Sequence, residues 1–175
     1  MTDRRHRMEP IFDIHLRYRK GIYDQYMSVI QIVHTADVPL LEAWHRVTDW
    51  ERHGAQVPLT RTTVATDPPT RLGTRFTART GLGRVAFDDP MEVVAWRPPA
   101  DGRPGHCRLV KHGRVVTGWA EIEVRPAPDG RGGSEVRWRE ELRLRGLPRF
   151  LDPLTAAAGR LLFARALAGL LRDAR

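Results

Sequence analysis

The sequence holds a single cysteine, Cys107, in 175 residues. One thiol excludes an intramolecular disulfide framework, leaves the fold to its apolar core and points to a reducing cytoplasm. Lysine is almost as scarce: Lys20 and Lys111 stand among 29 basic residues, and the rest are arginines. No apolar run approaches the ~18 residues of a membrane span. The basic opening MTDRRHRMEPIFDIHLRYRK lacks the apolar centre that a secretion signal needs. His6, His15, His34, His45, His53, His106 and His112 are scattered, and no His-x3-His pair falls on one predicted helix, so no metal site is expected. GxSxG is missing, and the glycines of GLGRVAF do not open a helix in a βαβ unit, which removes the serine-hydrolase and dinucleotide signatures. Neither a metal nor a cofactor is expected.

What is present suits one domain with a sizeable core: 41% of the residues are hydrophobic, and the length is short for two domains. The formal charge of +8 raises the question of a polyanionic partner. Coding bias produces the same arginine excess, and Arg137, Arg139 and Arg143 alternate with Glu135 and Glu141, which neutralises much of that face. A nucleic-acid binder is therefore the third of three functional readings. Residues 1–26 mix basic and acidic side chains with little periodicity, and read as a flexible basic extension; the domain is expected over 27–175.

SVIQIVHT alternates and is β-branched, which predicts a strand. ADVPLLEAWHRV follows with Leu40, Leu41, Trp44 and Val47 at helical spacing, Asp37 as the expected cap and Pro39 in the first turn. DWERHG is a second short helix, closed by Gly54. RTTVAT, GTRFTART and VAFDDPMEVVAW are strands, the last with a bulge expected at Pro90. HCRLVKHGRVVTGWAEIEV forms a hairpin turning at His112-Gly113. SEVRWREELRL is the last strand, with Val136, Trp138, Glu140, Leu142 and Leu144 inward. In the closing helix, Phe150, Leu154, Ala157, Leu161, Ala164, Ala168 and Leu171 are expected on the buried face. Strands segregated from helices make this an α+β chain: a curved antiparallel sheet of about seven strands wrapped around a long C-terminal helix, with two short helices after the first strand and space left between sheet and helix.

From about Met27 onward the order and the residues resemble the helix-grip superfamily of StAR-related lipid-transfer domains, pollen-allergen-like proteins and polyketide cyclases (SRPBCC). The segments that carry the resemblance are VIQIVHTAD, VPLLEAWHRVTDWERHGAQVPL, GTRF, FDDPMEVVAWRPP, VVTGWAEIEV, GSEVRWREEL and the closing amphipathic helix. The resemblance implies a cavity whose lip is formed by Trp50, His53, Val57 and Pro58. It leaves the activity open, since members bind many ligands and only some are enzymes.

The first functional reading is therefore binding of a small hydrophobic molecule, lipid-like or aromatic. Phe76, Met91, Val93, Leu109, Ala120, Trp138, Leu154 and Leu161 are expected to line the cavity. Ala78, Gly118, Ala120, Ala157 and Ala158 would leave its volume open. Glu140, Lys111 and His53 would orient the ligand. Glu140 is either a ligand-binding or acid–base carboxyl, or one half of a structural ion pair, or turned to solvent by a bulge. Lys111 meets an anionic ligand head, pairs with Glu140, or sits at a solvated hairpin end. Asp89 shares the face of Phe87 and Met91, its direction depending on the bulge. The second reading is a polyketide cyclase or dehydratase with His53 and Glu140 as the proton-moving groups. A homodimer is left open, and the chain is expected in the cytoplasm.

Overall fold

A computed structural model describes residues 29–146 and 148–172. The expected extension over residues 1–26 lies outside the described residues. Among those that are described, seven strands form one antiparallel sheet: β1 (Val29–Ala36), β2 (Thr60–Val64), β3 (Arg75–Thr80), β4 (Phe87–Arg97), β5 (Gly105–His112), β6 (Val116–Pro126) and β7 (Ser134–Leu144). Their order is β1-β7-β6-β5-β4-β3-β2. A meander from β2 to β7 is thus closed by the first strand, which pairs Ile32 with Trp138 and Ile30 with Glu140. Two short helices, α1 (Leu40–Val47) and α2 (Trp50–Gln56), follow β1, and α3 (Asp152–Leu171) closes the chain. This is the expected helix-grip architecture.

The period-2 pattern of β5, β6 and β7 places one apolar row on the concave face: Cys107, Leu109 and Lys111; Val116, Ala120, Ile122 and Val124; Val136, Trp138 and Glu140 are all buried. Burial pushes the Cys107 thiol up to about 12, so it serves as a small core residue without thiolate reactivity. On the convex face arginines alternate with acids. Arg125 and Arg137 both hold Glu135, Arg108 and Arg139 both hold Glu121, and Arg143 holds Glu141.

Several local expectations are corrected. The bulge lies between Val93 and Ala95, not at Pro90, which pairs in register with Thr77. One extra residue at Val94 reverses the alternation of β4, so that Trp96 stands opposite Cys107 and packs on Trp44 at 4.8 Å. The same regular register before the bulge turns Asp89 inward. Helix α1 starts after Pro39 with no side-chain cap, so Asp37 does not cap it, and Leu41 is exposed. The cap that does form is Asp49, which accepts from the Arg52 backbone N–H at 3.0 Å and starts α2. Helix α2 runs through Gly54 rather than ending there. A Cβ at that position would stand 2.6 Å from Thr62 Oγ1, so the glycine lets the helix lie directly on β2.

The largest correction concerns α3. Its buried residues are Ala166, Leu167, Leu170 and Leu171, while Leu154 and Leu161 are 68% and 64% exposed and Phe150 is exposed as well. The helix is apolar around most of its circumference, so the spacing of leucines does not select a face. Over Pro153–Leu171 it is long and apolar enough to cross a membrane by length and composition, although Arg160 and Arg165 interrupt the apolar run. In this fold it covers the sheet, packing on β1, α1 and α2.

Candidate functional site

Between the concave face of the sheet, α2 and α3 lies an apolar cavity of about 280 Å³. Its walls come from four directions. Phe76 and Ala78 stand on β3, Leu109 on β5, Trp50 and His53 on α2, and Leu162, Phe163 and Ala166 on α3. Strand β6 contributes Val116 and Ala120, the latter presenting almost no side chain, while Gly118, expected to open the volume, does not line the cavity. Gly118 has φ +135°, and a Cβ there would collide with the Glu141 carbonyl of β7, so this glycine is required for the two strands to pair.

A line of aromatic rings crosses the cavity. Phe76 stacks on Trp50 with centroids 4.6 Å apart and planes 6° apart. Trp50 meets His53 at 5.7 Å, His53 meets Trp138 at 5.2 Å, and Trp138 stacks on Phe163 at 5.9 Å. Each such pair contributes about 0.5–1.5 kcal/mol beyond its buried area. The rings thereby tie β3, α2, β7 and α3 together and give the cavity flat, polarisable walls. The tryptophan of the expected lip is at once core and cavity wall. Val57 also lines the cavity, whereas Pro58 is exposed and does not.

His53 is fixed by its own neighbourhood. Its Nε2 lies 2.6 Å from the Val47 carbonyl at the end of α1. A carbonyl can only accept, so Nε2–H donates and Nδ1 keeps its lone pair. Burial lowers its pKa to about 4, outweighing that hydrogen bond and the attraction of Asp49. The ring is neutral at pH 7.

The polar end of the cavity is a three-residue cluster from three strands. Lys111 Nζ donates to Asp89 Oδ2 at 2.9 Å and lies 3.2 Å from Glu140 Oε1. It also faces Met91 Sδ at 3.6 Å. Glu140 Oε2 accepts from Trp138 Nε1 at 2.9 Å, since positions two apart on a strand share a face. Lys111 reaches Glu140 across β6, over the small residues Gly118 and Ala120. All three members are buried: Glu140 is 1%, Asp89 7% and Lys111 9% exposed. Burial alone would pull the Lys111 ammonium toward neutrality, but Glu140 and Asp89 outweigh it and hold its pKa above the ordinary value. Burial pushes the Glu140 carboxyl above its ordinary range, opposed by Lys111 and the Trp138 N–H and assisted by the charge of Asp89. The two directions describe one state. Two carboxyls share one ammonium, which stays charged, and the deeper carboxyl resists ionisation. Two side-chain atoms of cavity-lining residues, Asp89 Oδ1 and Trp50 Nε1, are buried without a hydrogen-bond partner among the described residues.

Of the residues singled out by sequence, Trp50, His53, Phe76, Met91, Leu109, Lys111, Ala120, Trp138 and Glu140 all line this one cavity. Val93 does not: it is wholly buried in the core beside it, because alternation assigns a face and not a position along the strand. Leu154 and Leu161 do not, because they lie on the outer side of α3. Leu161 borders a shallow surface groove with Val29, Ile30 and Arg160 instead. Ala157 and Ala158 are exposed too. Sequence reasoning missed Phe163, Leu162 and Ala166. Among the described residues, no three His, Cys, Asp or Glu side chains stand together as a metal site would require.

No family model matches the sequence, and no curated protein matches it. Solved structures do match in shape. The structure of TTHA0849 from Thermus thermophilus superposes with a TM-score of 0.64 at 15% identity, covering 82% of this chain and 94% of that one. Ara h 8.0201 superposes with a TM-score of 0.54 at 12% identity, covering 84% of this chain and 99% of that one. At these identities the likeness is one of fold, and the fold is the helix grip that the sequence resemblance implies.

Proposed function

We propose that the chain binds a small hydrophobic molecule, lipid-like or aromatic, in the cavity between the sheet and α3. The observation that carries this reading is the cavity itself: an apolar space walled by stacked rings, with a few convergent polar groups at one end, is the usual form of a small-molecule site. Its volume, about 280 Å³, suits a compact ligand. The shape likeness to Ara h 8.0201 is consistent with it. Titration with N-phenyl-1-naphthylamine, a neutral fluorescent probe, tests the reading. Saturable one-to-one binding is expected. Ala78→Trp, which fills the cavity, should abolish it while melting remains cooperative. Binding that survives Ala78→Trp would place the probe elsewhere. Native mass spectrometry of the protein from its own host would then give the mass of the natural ligand.

A second reading, a cyclase or dehydratase acting on a polyketide, is favoured by the pairing of groups at the cavity. Neutral His53 offers a lone pair on Nδ1, Glu140 holds its proton more tightly than an ordinary carboxyl, and Trp138 bridges the two. Such a pair can accept and donate protons in an aldol closure. A cyclised product from a poly-β-keto substrate, lost on Glu140→Gln or His53→Ala, would establish turnover. The nucleic-acid reading is weakened by the convex face, where the arginines are engaged by Glu121, Glu135 and Glu141.

A further inference from the structure

We infer that the cavity selects uncharged ligands bearing a hydroxyl or N–H donor on a compact apolar frame, and rejects carboxylates, sulfonates and phosphates. The inference rests on the cavity reading above and sharpens it. A buried lysine beside a lipid-sized space invites the opposite conclusion, that it receives an anionic head group. The geometry argues against this. An ammonium has three N–H donors, and each already faces an acceptor: Asp89 Oδ2, Glu140 Oε1 and Met91 Sδ. Among the described residues, no second lysine and no arginine lines the cavity. In either protonation state of Glu140 the cluster carries no positive excess; an incoming anion would meet two carboxyls and a cation already engaged, and the unpartnered Trp50 Nε1–H is a neutral donor that cannot balance its charge, at a depth where an uncompensated charge is costly.

What the cluster lacks is a donor. Asp89 is 7% exposed and lines the cavity, and its Oδ1 has no hydrogen-bond partner among the described residues. Carboxylate oxygens accept strongly, and a buried acceptor left without a partner loses its hydration with nothing in return. Oδ1 is covered, so a ligand hydroxyl or N–H reaches and satisfies it as the side chains around it give way. A ligand without one leaves it unsatisfied. The aromatic walls hold the remainder of the molecule by stacking and apolar contact.

Three ligands of one shape separate the possibilities: 2-naphthol, 2-methylnaphthalene and 2-naphthoate, titrated calorimetrically at pH 7 against the full chain. The expected order is naphthol tightest, methylnaphthalene weaker by about tenfold, as a charged-acceptor hydrogen bond predicts, and naphthoate weakest. Asp89→Asn removes the acceptor charge and should narrow the gap between naphthol and naphthoate at least several-fold. A thermal melt of the variant reports whether the fold is kept, and the wild-type series stands independently of it. Naphthoate binding as tightly as naphthol would overturn the inference and leave the cavity reading intact, and so would naphthol and methylnaphthalene binding alike. Failure of all three to bind would remove the cavity reading and the inference with it.

Discussion

His53 separates the folded from the unfolded chain in mild acid, and the consequence is measurable. In the folded chain its ring is half-buried, packed against Trp50 and Trp138 with Nε2–H on the Val47 carbonyl, and its pKa falls to about 4 from an ordinary 6.5. Between those values the unfolded chain takes up a proton at this position and the folded chain does not. Stability therefore rises with pH across the window and is lost as pH falls through it, from about 6.5 down to about 4. Fully expressed, the loss is about 3 kcal/mol. Acid titrates other groups as well. The arginine partner of Glu42 holds that carboxyl below its ordinary range. For Glu121, His106 and arginines outweigh burial with the same result, and Arg137 leads at Glu135. Each adds stability that disappears at low pH, so the raw acid curve is not diagnostic. The comparison that isolates His53 is with His53→Gln, which keeps an N–H for the Val47 carbonyl and cannot titrate. Urea denaturation at steps from pH 7 to pH 4 should show the wild type losing about 3 kcal/mol more than the variant, the difference opening near pH 6.5. Parallel curves, or a folded-state imidazole titrating near 6.5 by NMR, would refute the argument. Either would mean that the ring is solvated and that α2 is not locked to the end of α1 through it.

Three further outcomes follow from the packing. Trp138→Ala removes a ring that touches His53 and Phe163 and holds Glu140, and should cost roughly 3–5 kcal/mol in urea denaturation; a change near zero would mean that the inward register of β7 is wrong. Leu154→Glu and Leu161→Glu should leave stability within about 0.5 kcal/mol of wild type, whereas Leu167→Glu should prevent folding, as judged by circular dichroism; the reverse pattern would restore the face first read from the sequence. Lys111→Met strands Asp89 and Glu140 without a cation and should cost about 3–5 kcal/mol at pH 7. That loss should shrink as the pH falls and the Glu140 carboxyl, held above its ordinary range by burial, takes up its proton, so a pH-independent difference between wild type and variant would show that the ion cluster is not what is being broken.

The strands were the most legible part of the chain, because burial of one face writes a period-2 pattern into the sequence. In β7 the alternation placed Trp138 and Glu140 inward, and in β5 it placed Lys111 on the same side as Leu109. Alternation gives a face but not a depth, which is why Val93 was assigned to the cavity and lies beside it. It also fails where the ladder slips. The bulge expected at Pro90 obscured Asp89, and the real one at Val94 has no glycine or proline to announce it. Helix α3 was misread for a different reason. Its leucines and alanines surround the axis, so they carry no directional signal. Nor do the arginines settle it: Arg165 lies on the side of exposed Leu161, away from Phe163 and Leu170, whereas Arg160 stands seven residues before buried Leu167 and so shares its face.

The cluster of Asp89, Lys111 and Glu140 was only half visible for a reason that no single-strand pattern removes. Its members come from β4, β5 and β7, and their meeting depends on two cross-strand registers, Met91 opposite Lys111 and Ala120 opposite Glu140. It also depends on the small residues of β6 between them. Stability does not account for such a cluster, since well-packed apolar side chains in the same space are commonly as stable or more so. Removing any one member, by contrast, leaves the others buried and unbalanced. The cluster is therefore costly to break yet contributes little by its presence to the fold, and it stands where the sheet would otherwise offer only hydrocarbon. Under the proposed binding reading that combination makes the cluster the polar end of the cavity: one carboxylate oxygen is still without a donor among the described residues, and the space adjoining the cluster is the one lined by Trp50, His53, Phe76 and Trp138.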